Sequence, residues 1–262
     1  MKKSSATCVA TQNVISTRED SKMLPEESVS LDPLARGADA VDLELELKRR
    51  VVGQDEAVEK MCSVWQTYMA GLSAPGRPVA NLLFLGPTGT GKTRIVEAIS
   101  EILFDRDDCF IKIDCAEFQE SHAIAKLMGA PTGYVGHKDT KPFITQEKLD
   151  RSHTKELKLS FVLFDEIEKA HPAFWDVLLA VLDKGKLTLS DGSVVDFSKT
   201  IVFMTSNLGA RDMENAGKPL GFSGANPVVV ADTRLEKVSQ EAARKKFSPE
   251  FWNRLDATEL VS

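Results

Sequence analysis

The sequence predicts an α/β protein with a three-layer, doubly wound parallel sheet that is covered by helices on both faces. Four short apolar segments alternate with segments of helical periodicity, and this alternation is typical of such a sheet. Ligands in these folds bind at the carboxyl ends of the strands, where the loops carry the chemistry. The predicted strands are residues 81–85, 109–113, 159–164 and 200–204, with a short fifth strand at 258–261.

The composition excludes several classes of protein. The chain has 262 residues, 42% of them hydrophobic, which is enough for one full core. Its net charge of −6 and its lack of a basic cluster predict no nucleic-acid partner. Its apolar runs are far shorter than the ~20 residues that cross a bilayer, and it has no signal peptide, so we expect no membrane partner and a cytoplasmic location. The four cysteines and four histidines have no metal-ligand spacing.

The N-terminal part of the chain divides into a leader and two helical segments. Residues 1–40 are polar and lack hydrophobic periodicity, so we predict a disordered leader before a domain at residues 41–262. The first segment of the domain is ambiguous. Leu recurs at every second position of residues 43–47, as in a strand, but Glu44 and Glu46 each precede a basic residue by four positions, as on a helix. We favour a helix, followed after Gly53 by a second one at residues 55–70.

A glycine-rich octapeptide follows the first predicted strand directly. It reads Gly86-Pro87-Thr88-Gly89-Thr90-Gly91-Lys92-Thr93. Its glycines let successive backbone N–H groups point at a β-phosphate, Lys92 can reach the β- and γ-oxygens, and the Thr93 hydroxyl can ligate Mg²⁺. A segment of helical periodicity follows and supplies the helix N-terminus that phosphates require. The sequence therefore predicts a site for a nucleoside triphosphate with Mg²⁺; the alternative is a glycine-rich turn that binds nothing.

Polar residues also end two further predicted strands. Asp165 and Glu166 are adjacent carboxylates, and we expect Asp165 near the Mg²⁺ shell. Glu166, beside the metal rather than on it, can accept a proton from water aligned with the γ-phosphate, which makes it the candidate general base for hydrolysis. The alternative is a solvated acidic strand end. Asn207 follows the fourth predicted strand, where its amide can hold the attacking water or the γ-phosphate, but an Asn in this place is also a common turn former.

Taken together, four segments closely resemble the Clp chaperone-ATPases, and in particular the large subdomain of their second AAA+ module. The segments are residues 50–58, 86–93, 162–172 and 205–209. The resemblance covers about residues 41–261 and implies a P-loop NTPase fold that binds ATP and Mg²⁺, hydrolyses ATP and remodels or unfolds proteins. It makes Asn207 the sensor of the γ-phosphate. Val51 and Val52 resemble the segment that lies against adenine; the alternative is that they are ordinary core valines.

The resemblance also assigns an arginine near the end of the chain. Residues 247–256 resemble the family segment that ends in an arginine finger, with Arg254 in that role. Such an arginine acts across a subunit boundary and neutralises charge on a neighbour's γ-phosphate, an effect worth roughly 10³–10⁵ in rate in well-studied systems. The resemblance thus implies a homo-oligomer or a partner subunit in another AAA+ ring. The alternative is a surface arginine paired with Glu250 or Asp256.

Two further segments resemble sites for protein partners. Residues 129–136 resemble the axial-pore loop that grips an unfolded polypeptide, with Tyr134 as the gripping residue because an aromatic ring contacts any sequence. The residues that follow, 137–141, lack the second aromatic and the glycines that the family has there, and a surface loop with one exposed tyrosine is the alternative. Leu220-Gly221-Phe222 resembles a loop that docks onto a peptidase ring; alternatively it packs on its own domain.

The end of the chain departs from the family pattern. Clp modules continue past the last strand into a small helical lid, whereas this sequence ends at Ser262, so the resemblance implies a large subdomain without that lid. This motivates a second hypothesis, a nucleotide-dependent interaction or regulatory subunit of another AAA+ assembly, with little turnover of its own.

Overall fold

Five parallel strands form the central sheet. The computed structural model describes residues 38–106, 109–129, 142–210 and 227–261. The strand order is β2-β3-β6-β1-β7, and every neighbouring pair is parallel. This confirms the doubly wound sheet, with each strand end within two residues of its predicted position. The strands are β1 Ala80–Leu85, β2 Phe110–Asp114, β3 Ser160–Asp165, β6 Thr200–Ser206 and β7 Ala257–Leu260.

The central strands are buried on both faces, as strands of parallel sheets usually are. Every residue of β1 and β6 is buried. Successive side chains point to opposite faces, so Leu83 and Leu85 join one buried cluster, while Leu82 and Phe84 join the other. The edge strands β2 and β7 are mostly half-buried or exposed. The sheet therefore separates two apolar cores and leaves its polar groups at the strand ends.

Helices complete the layers on either side. The first core, which contains Leu82 and Phe84, lies under α1 Ala38–Arg50, α2 Asp55–Met69 and α3 Lys92–Phe104. Helices on the other face contribute to the second core, and short 3₁₀ turns link several of these elements. These helices are α4 Ile124–Met128, α5 Gln146–Asp150, α6 Pro172–Lys184, α7 Pro227–Lys246 and α8 Pro249–Trp252, and the turns are Cys115–Phe118, Ser121–Ala123 and Ile167–Lys169.

The ambiguous first segment is a helix, as we favoured. Leu43 and Leu47, four positions apart, are buried, whereas Leu45 between them is 53% exposed. The ammonium of Lys48 lies 2.7 Å from a carboxylate oxygen of Glu44, the helical pair that the sequence indicated. Burial of one face against α2 therefore decides between the two periodicities.

A two-stranded antiparallel hairpin was not predicted. It pairs β4 Lys186–Thr188 with β5 Val194–Asp196. Only the central residue of each strand, Leu187 or Val195, is buried. Three residues are too few for an alternating pattern to stand out in a sequence, which is why the hairpin escaped notice.

Candidate functional site

The predicted phosphate-binding and acidic segments meet at the carboxyl ends of the central strands. β1, β3 and β6 are neighbours and parallel, so their carboxyl ends lie side by side. A cleft of about 290 Å³ opens there. Its lining includes the predicted Thr88, Gly89, Gly91, Lys92, Thr93, Asp165, Glu166 and Asn207, together with Arg94, which was not predicted.

The octapeptide adopts a backbone that needs its glycines. Gly86, Gly89 and Gly91 have φ values of +150°, +86° and +96°. A Cβ on Gly86 would lie 2.0 Å from the carbonyl oxygen of Val261, so the chain passes too closely for any side chain. Gly91 precedes α3, and no side chain caps that helix. The N–H groups of the first helical turn have no acceptor within the helix, so they suit an anion.

Lys92 is 7% exposed, and its ammonium group has three acceptors. It donates to the carbonyl oxygens of Gly86 at 2.9 Å and Pro87 at 2.6 Å, and to Oδ1 of Asn207 at 2.9 Å. Burial lowers the pKa of Lys92, while the carboxylates of Asp165 and its neighbours oppose that shift. The lysine thus ties the octapeptide to the strand end that carries Asn207.

The two acids at the end of β3 are joined through Thr205, which is fully buried. The Thr205 hydroxyl donates to Oδ1 of Asp165 and accepts the backbone N–H of Glu166 at 2.9 Å. The other Asp165 oxygen lies 2.8 Å from the ammonium of Lys112 on β2. We did not predict Thr205 or Lys112. The sequence held one signal for Thr205, since alternate strand residues share a face and Asn207 stands two positions later.

Glu166 has an unusual backbone and two side-chain partners. Its φ of +56° lies in the left-handed region, which is rare for a residue with a side chain and is found more often at functional sites. Oε1 accepts from Nδ2 of Asn207 at 2.7 Å, and Oε2 lies 2.5 Å from the ammonium of Lys169. The hydrogen bond to Glu166 raises the pKa of Lys169. A continuous chain of contacts thus runs from Lys92 through Asn207 to Glu166 and Lys169.

Glu168 also supports Asn207, although the sequence did not single it out. Its Oε1 accepts the backbone N–H of Asn207 at 3.1 Å. Its Oε2 is buried and has no hydrogen-bond partner within the described ranges. Asn207 is therefore held through its backbone as well as through both ends of its amide.

The donor set in the cleft fits magnesium bound together with a phosphate. Thr93 and Asp165 offer hydroxyl and carboxylate oxygens, the ligand types that Mg²⁺ prefers. Where the chain is described, no group of three or more His, Cys, Asp or Glu residues could hold a metal by itself. Mg²⁺ usually binds through one or two protein groups and completes its shell with phosphate oxygens and water.

The segment expected to lie against adenine approaches the octapeptide through another residue. Val51 is buried in the core with Trp65, and Val52 is 86% exposed. Neither lines the cleft described above. Gln54, which we did not single out, is buried and donates to the carbonyl oxygen of Thr90 over 3.5 Å. The adenine contact of the two valines stays a prediction.

Arg254 lies at the opposite end of the strands from the cleft, near the start of β1. The side-chain amide of Asn81, at the start of β1, donates to the Arg254 carbonyl oxygen at 2.9 Å, whereas the octapeptide begins where β1 ends. The Nε atom of Arg254 is 2.7 Å from Oδ1 of Asp183 on α6. The ion pair is thus with Asp183 rather than with Glu250 or Asp256, and Asp256 itself pairs with Arg77 at 2.9 Å.

The predicted partner sites fall on other parts of the chain. Tyr134 and the segment Leu220-Gly221-Phe222 lie outside the described residues. Both remain predictions. Among the helices that the structure describes, none is long and apolar enough to cross a membrane.

Comparison with known proteins identifies the family. The model for the AAA domain (Cdc48 subfamily) matches residues 77–258. The chain belongs to this family. It is 43% identical over 216 residues to the "ATP-dependent Clp protease ATP-binding subunit ClpC" of Staphylococcus epidermidis and, equally, to that of Staphylococcus aureus. The match covers 82% of this chain and 25% of either relative, so the chain spans a quarter of their length.

Solved structures of Hsp104 resemble the same region. A closed-state reconstruction with ATPγS and casein has a TM-score of 0.70 and 33% identity, covering 85% of this chain and 35% of that one. An extended casein complex of the S. cerevisiae protein has a TM-score of 0.71 and 31% identity, covering 86% and 36%. The resemblance to Clp-type AAA+ chaperone ATPases is confirmed, and with it the α/β fold.

Proposed function

We propose that this chain binds ATP with Mg²⁺ and hydrolyses it as a Clp-type module, in an oligomer that remodels or unfolds polypeptides. The observation that carries the proposal is the meeting of Lys92, Asp165, Glu166 and Asn207 in one cleft beside the N-terminus of α3. These are the groups that phosphate binding, metal binding and activation of water require.

Each group has a task that its contacts support. The octapeptide backbone and Lys92 hold the phosphates. Thr93 and Asp165 would hold the metal, and the Thr205 hydroxyl fixes Asp165. Bound Mg²⁺ would neutralise charge on the phosphate oxygens. Glu166 takes the proton from the attacking water, and Asn207, bonded to Glu166 at 2.7 Å, orients that water.

The proposal assigns Arg254 to a neighbouring protomer's site. Within its own chain, Arg254 lies near the start of β1, at the end of the strand away from the octapeptide. A second copy, or another AAA+ subunit, would therefore complete each site. A polypeptide substrate, gripped by Tyr134, is proposed because the ClpC relatives are named as subunits of a protease and Hsp104 was solved with casein. Docking of a peptidase through Leu220-Gly221-Phe222 and a cytoplasmic location belong to the same proposal.

Two variants of the cleft test the proposal. We expect Lys92→Ala to lose MgATP binding by calorimetry. We expect Glu166→Gln to keep binding but release phosphate roughly 10²–10⁴ times more slowly, because a general base contributes about that much. Glu147→Gln makes the same change at an exposed position of α5 and should behave as the parent chain. Unchanged hydrolysis in Glu166→Gln would remove that residue from the role of base.

Protein concentration tests the shared site. If Arg254 acts in trans, phosphate release per protomer should rise with concentration and level off as oligomers form. Binding of MgATP without hydrolysis at any concentration, with turnover restored by adding a Clp relative, would instead favour the regulatory subunit. Absence of any heat from MgATP with folded protein would refute both.

A further inference from the structure

Arg254 is anchored through its backbone and its side chain. Its N–H donates to the Phe251 carbonyl oxygen at 3.0 Å, and its own carbonyl oxygen accepts from the amide of Asn81 at 2.9 Å. Its side chain is held by Asp183, with Nε 2.7 Å from Oδ1. The position and the direction of this arginine are thus defined within one chain.

The end of α6, which carries Asp183, is bonded to the same strand residue as Arg254. Asp183 lies one residue before the end of α6, and the carbonyl oxygen of its neighbour Leu182 accepts from the same Asn81 amide at 3.2 Å. Asn81 is fully buried in β1. One buried amide therefore ties the end of α6 and the Arg254 segment to the strand that leads into the phosphate loop.

The contact with Asp183 leaves the reactive end of the guanidinium available. The Arg254 side chain is 36% exposed, and no other carboxylate of the described residues pairs with the terminal amino groups of its guanidinium. A guanidinium bound through Nε still presents four N–H donors in a planar fork, which suits phosphate oxygens. Because both partners are substantially exposed, the ion pair itself contributes little to stability. Orientation of the fork is what this contact supplies.

We propose that Asp183 is a positioning residue for Arg254 and holds its guanidinium toward the nucleotide of a neighbouring protomer. The inference rests on the proposed function, since Arg254 must act in trans. Loss of Asp183 then leaves the arginine in place but frees its side chain to rotate, so hydrolysis falls while nucleotide affinity does not.

The first experiment measures hydrolysis by the full chain at a saturating protein concentration. We expect Asp183→Ala to lower kcat about tenfold with KM unchanged, since small misplacements of catalytic groups cost about that much or more. Asp183→Asn keeps an acceptor oxygen and should lose less. Asp176→Ala, an exposed position on the same helix, is the control and should retain the parent's rate. All three should melt within about 3 °C of the parent.

The second experiment mixes protomers to separate positioning from folding. Arg254→Ala protomers keep an intact cleft, and Glu166→Gln protomers keep an intact arginine, so the mixture should hydrolyse ATP much faster than either variant alone. Adding Asp183→Ala to the Glu166→Gln protomer should lower that restored rate about tenfold. Adding it to the Arg254→Ala protomer should change nothing, whereas a general folding defect would appear in both.

The outcomes distinguish the two proposals. If the parent chain shows no hydrolysis at any concentration, the proposed function fails, and this inference fails with it. If the parent hydrolyses ATP and the mixture is active, but Asp183→Ala equals Asp176→Ala, the role of Asp183 alone is refuted. An equal loss whichever protomer carries Asp183→Ala also refutes it.

Discussion

Polar clusters lie at both ends of the central strands, and the clusters differ in what surrounds them. We call the side of the sheet where the strands end the carboxyl edge and the side where they begin the amino edge. At the carboxyl edge, Lys92, Glu166 and Asn207 bond to one another around a cleft. At the amino edge, Asp183 and Arg254 form a pair that is partly open to solvent. One edge encloses a ligand-sized space within the chain, whereas the other presents a cation outward.

The length of β1 separates these two clusters. Asn81, which binds the Arg254 backbone, and Leu85, which precedes the octapeptide, are four steps apart along the strand. Four steps of about 3.3 Å span about 13 Å, which exceeds the reach of an arginine side chain. One chain can therefore hold the groups that line its cleft and still lack the cation that we propose completes it.

The largest effect on stability is expected at the carboxyl edge, for Gly86→Ala. The new Cβ would meet the Val261 carbonyl oxygen at 2.0 Å on a backbone with φ +150°. We expect a loss of about 3 kcal/mol or more in the free energy of unfolding, from strain and overpacking together. Urea denaturation measures it.

Gly89→Ala is the matched control for that variant. Gly89 also has a positive φ, +86°, but nothing lies within 4 Å of its Cβ position. We expect a loss of only about 1 kcal/mol from the left-handed backbone. Equal losses for the two variants would mean that the close approach of Val261 does not matter.

The next effect is expected at the amino edge, for Asn81→Ala. The change removes the donor shared by the Leu182 and Arg254 carbonyl oxygens, so we expect a loss of about 2 kcal/mol in the free energy of unfolding. Hydrolysis should fall as Arg254 is released, while MgATP affinity by calorimetry stays constant. A matching loss of affinity would show that the two edges are not independent.

A smaller change is expected at the carboxyl edge for Thr205→Val. Valine keeps the shape but leaves the Glu166 N–H and the Asp165 carboxylate without the hydroxyl they share. We expect a loss of about 1–2 kcal/mol in the free energy of unfolding and a fall of about tenfold in kcat from misplaced acids. Thr205→Ser keeps the hydroxyl and should preserve both quantities; if it behaves like valine, packing rather than hydrogen bonding is responsible.

The smallest effect is expected at the amino edge for Arg77→Ala. Its ion pair with Asp256 is partly exposed, with the two side chains 34% and 36% accessible. Such pairs contribute less than about 1 kcal/mol, so thermal melting should barely change. Hydrolysis should also stay constant, because Arg254 pairs with a different carboxylate. A large kinetic loss would mean that the whole amino edge, rather than Asp183 alone, orients the arginine.

Much of the fold could be predicted because its signals are local. The central strands β1, β3 and β6 each contain a run of four apolar residues, and turn residues or polar residues end them. The segment at 43–47 carried two periodicities, and burial of Leu43 and Leu47 against a neighbouring helix decided between them. The hairpin of Lys186–Thr188 and Val194–Asp196 escaped prediction because three-residue strands leave almost no pattern.

Some residues of the site could likewise be predicted from the sequence, and others could not. The residues of the octapeptide, Asp165, Glu166 and Asn207 were identified because each stands at the end of an apolar run, where parallel sheets collect their chemistry. Thr205, Lys112 and Glu168 were missed. Their importance comes from contacts between different strands and turns, with Lys112 on β2 meeting Asp165 on β3.

Local sequence patterns were enough to predict which polar groups stand at the ends of the strands. Glycines with positive φ permit the tight turns of the octapeptide, and adjacent residues at one strand end supply the two acids. The folded chain was needed to show which side chains become partners, such as Asp183 for Arg254 and Thr205 for Asp165. Strand-end and turn signals lie in residues adjacent along the chain, whereas side-chain partners come from elements that are distant in sequence, brought together here by a strand order that places β6 between β3 and β1.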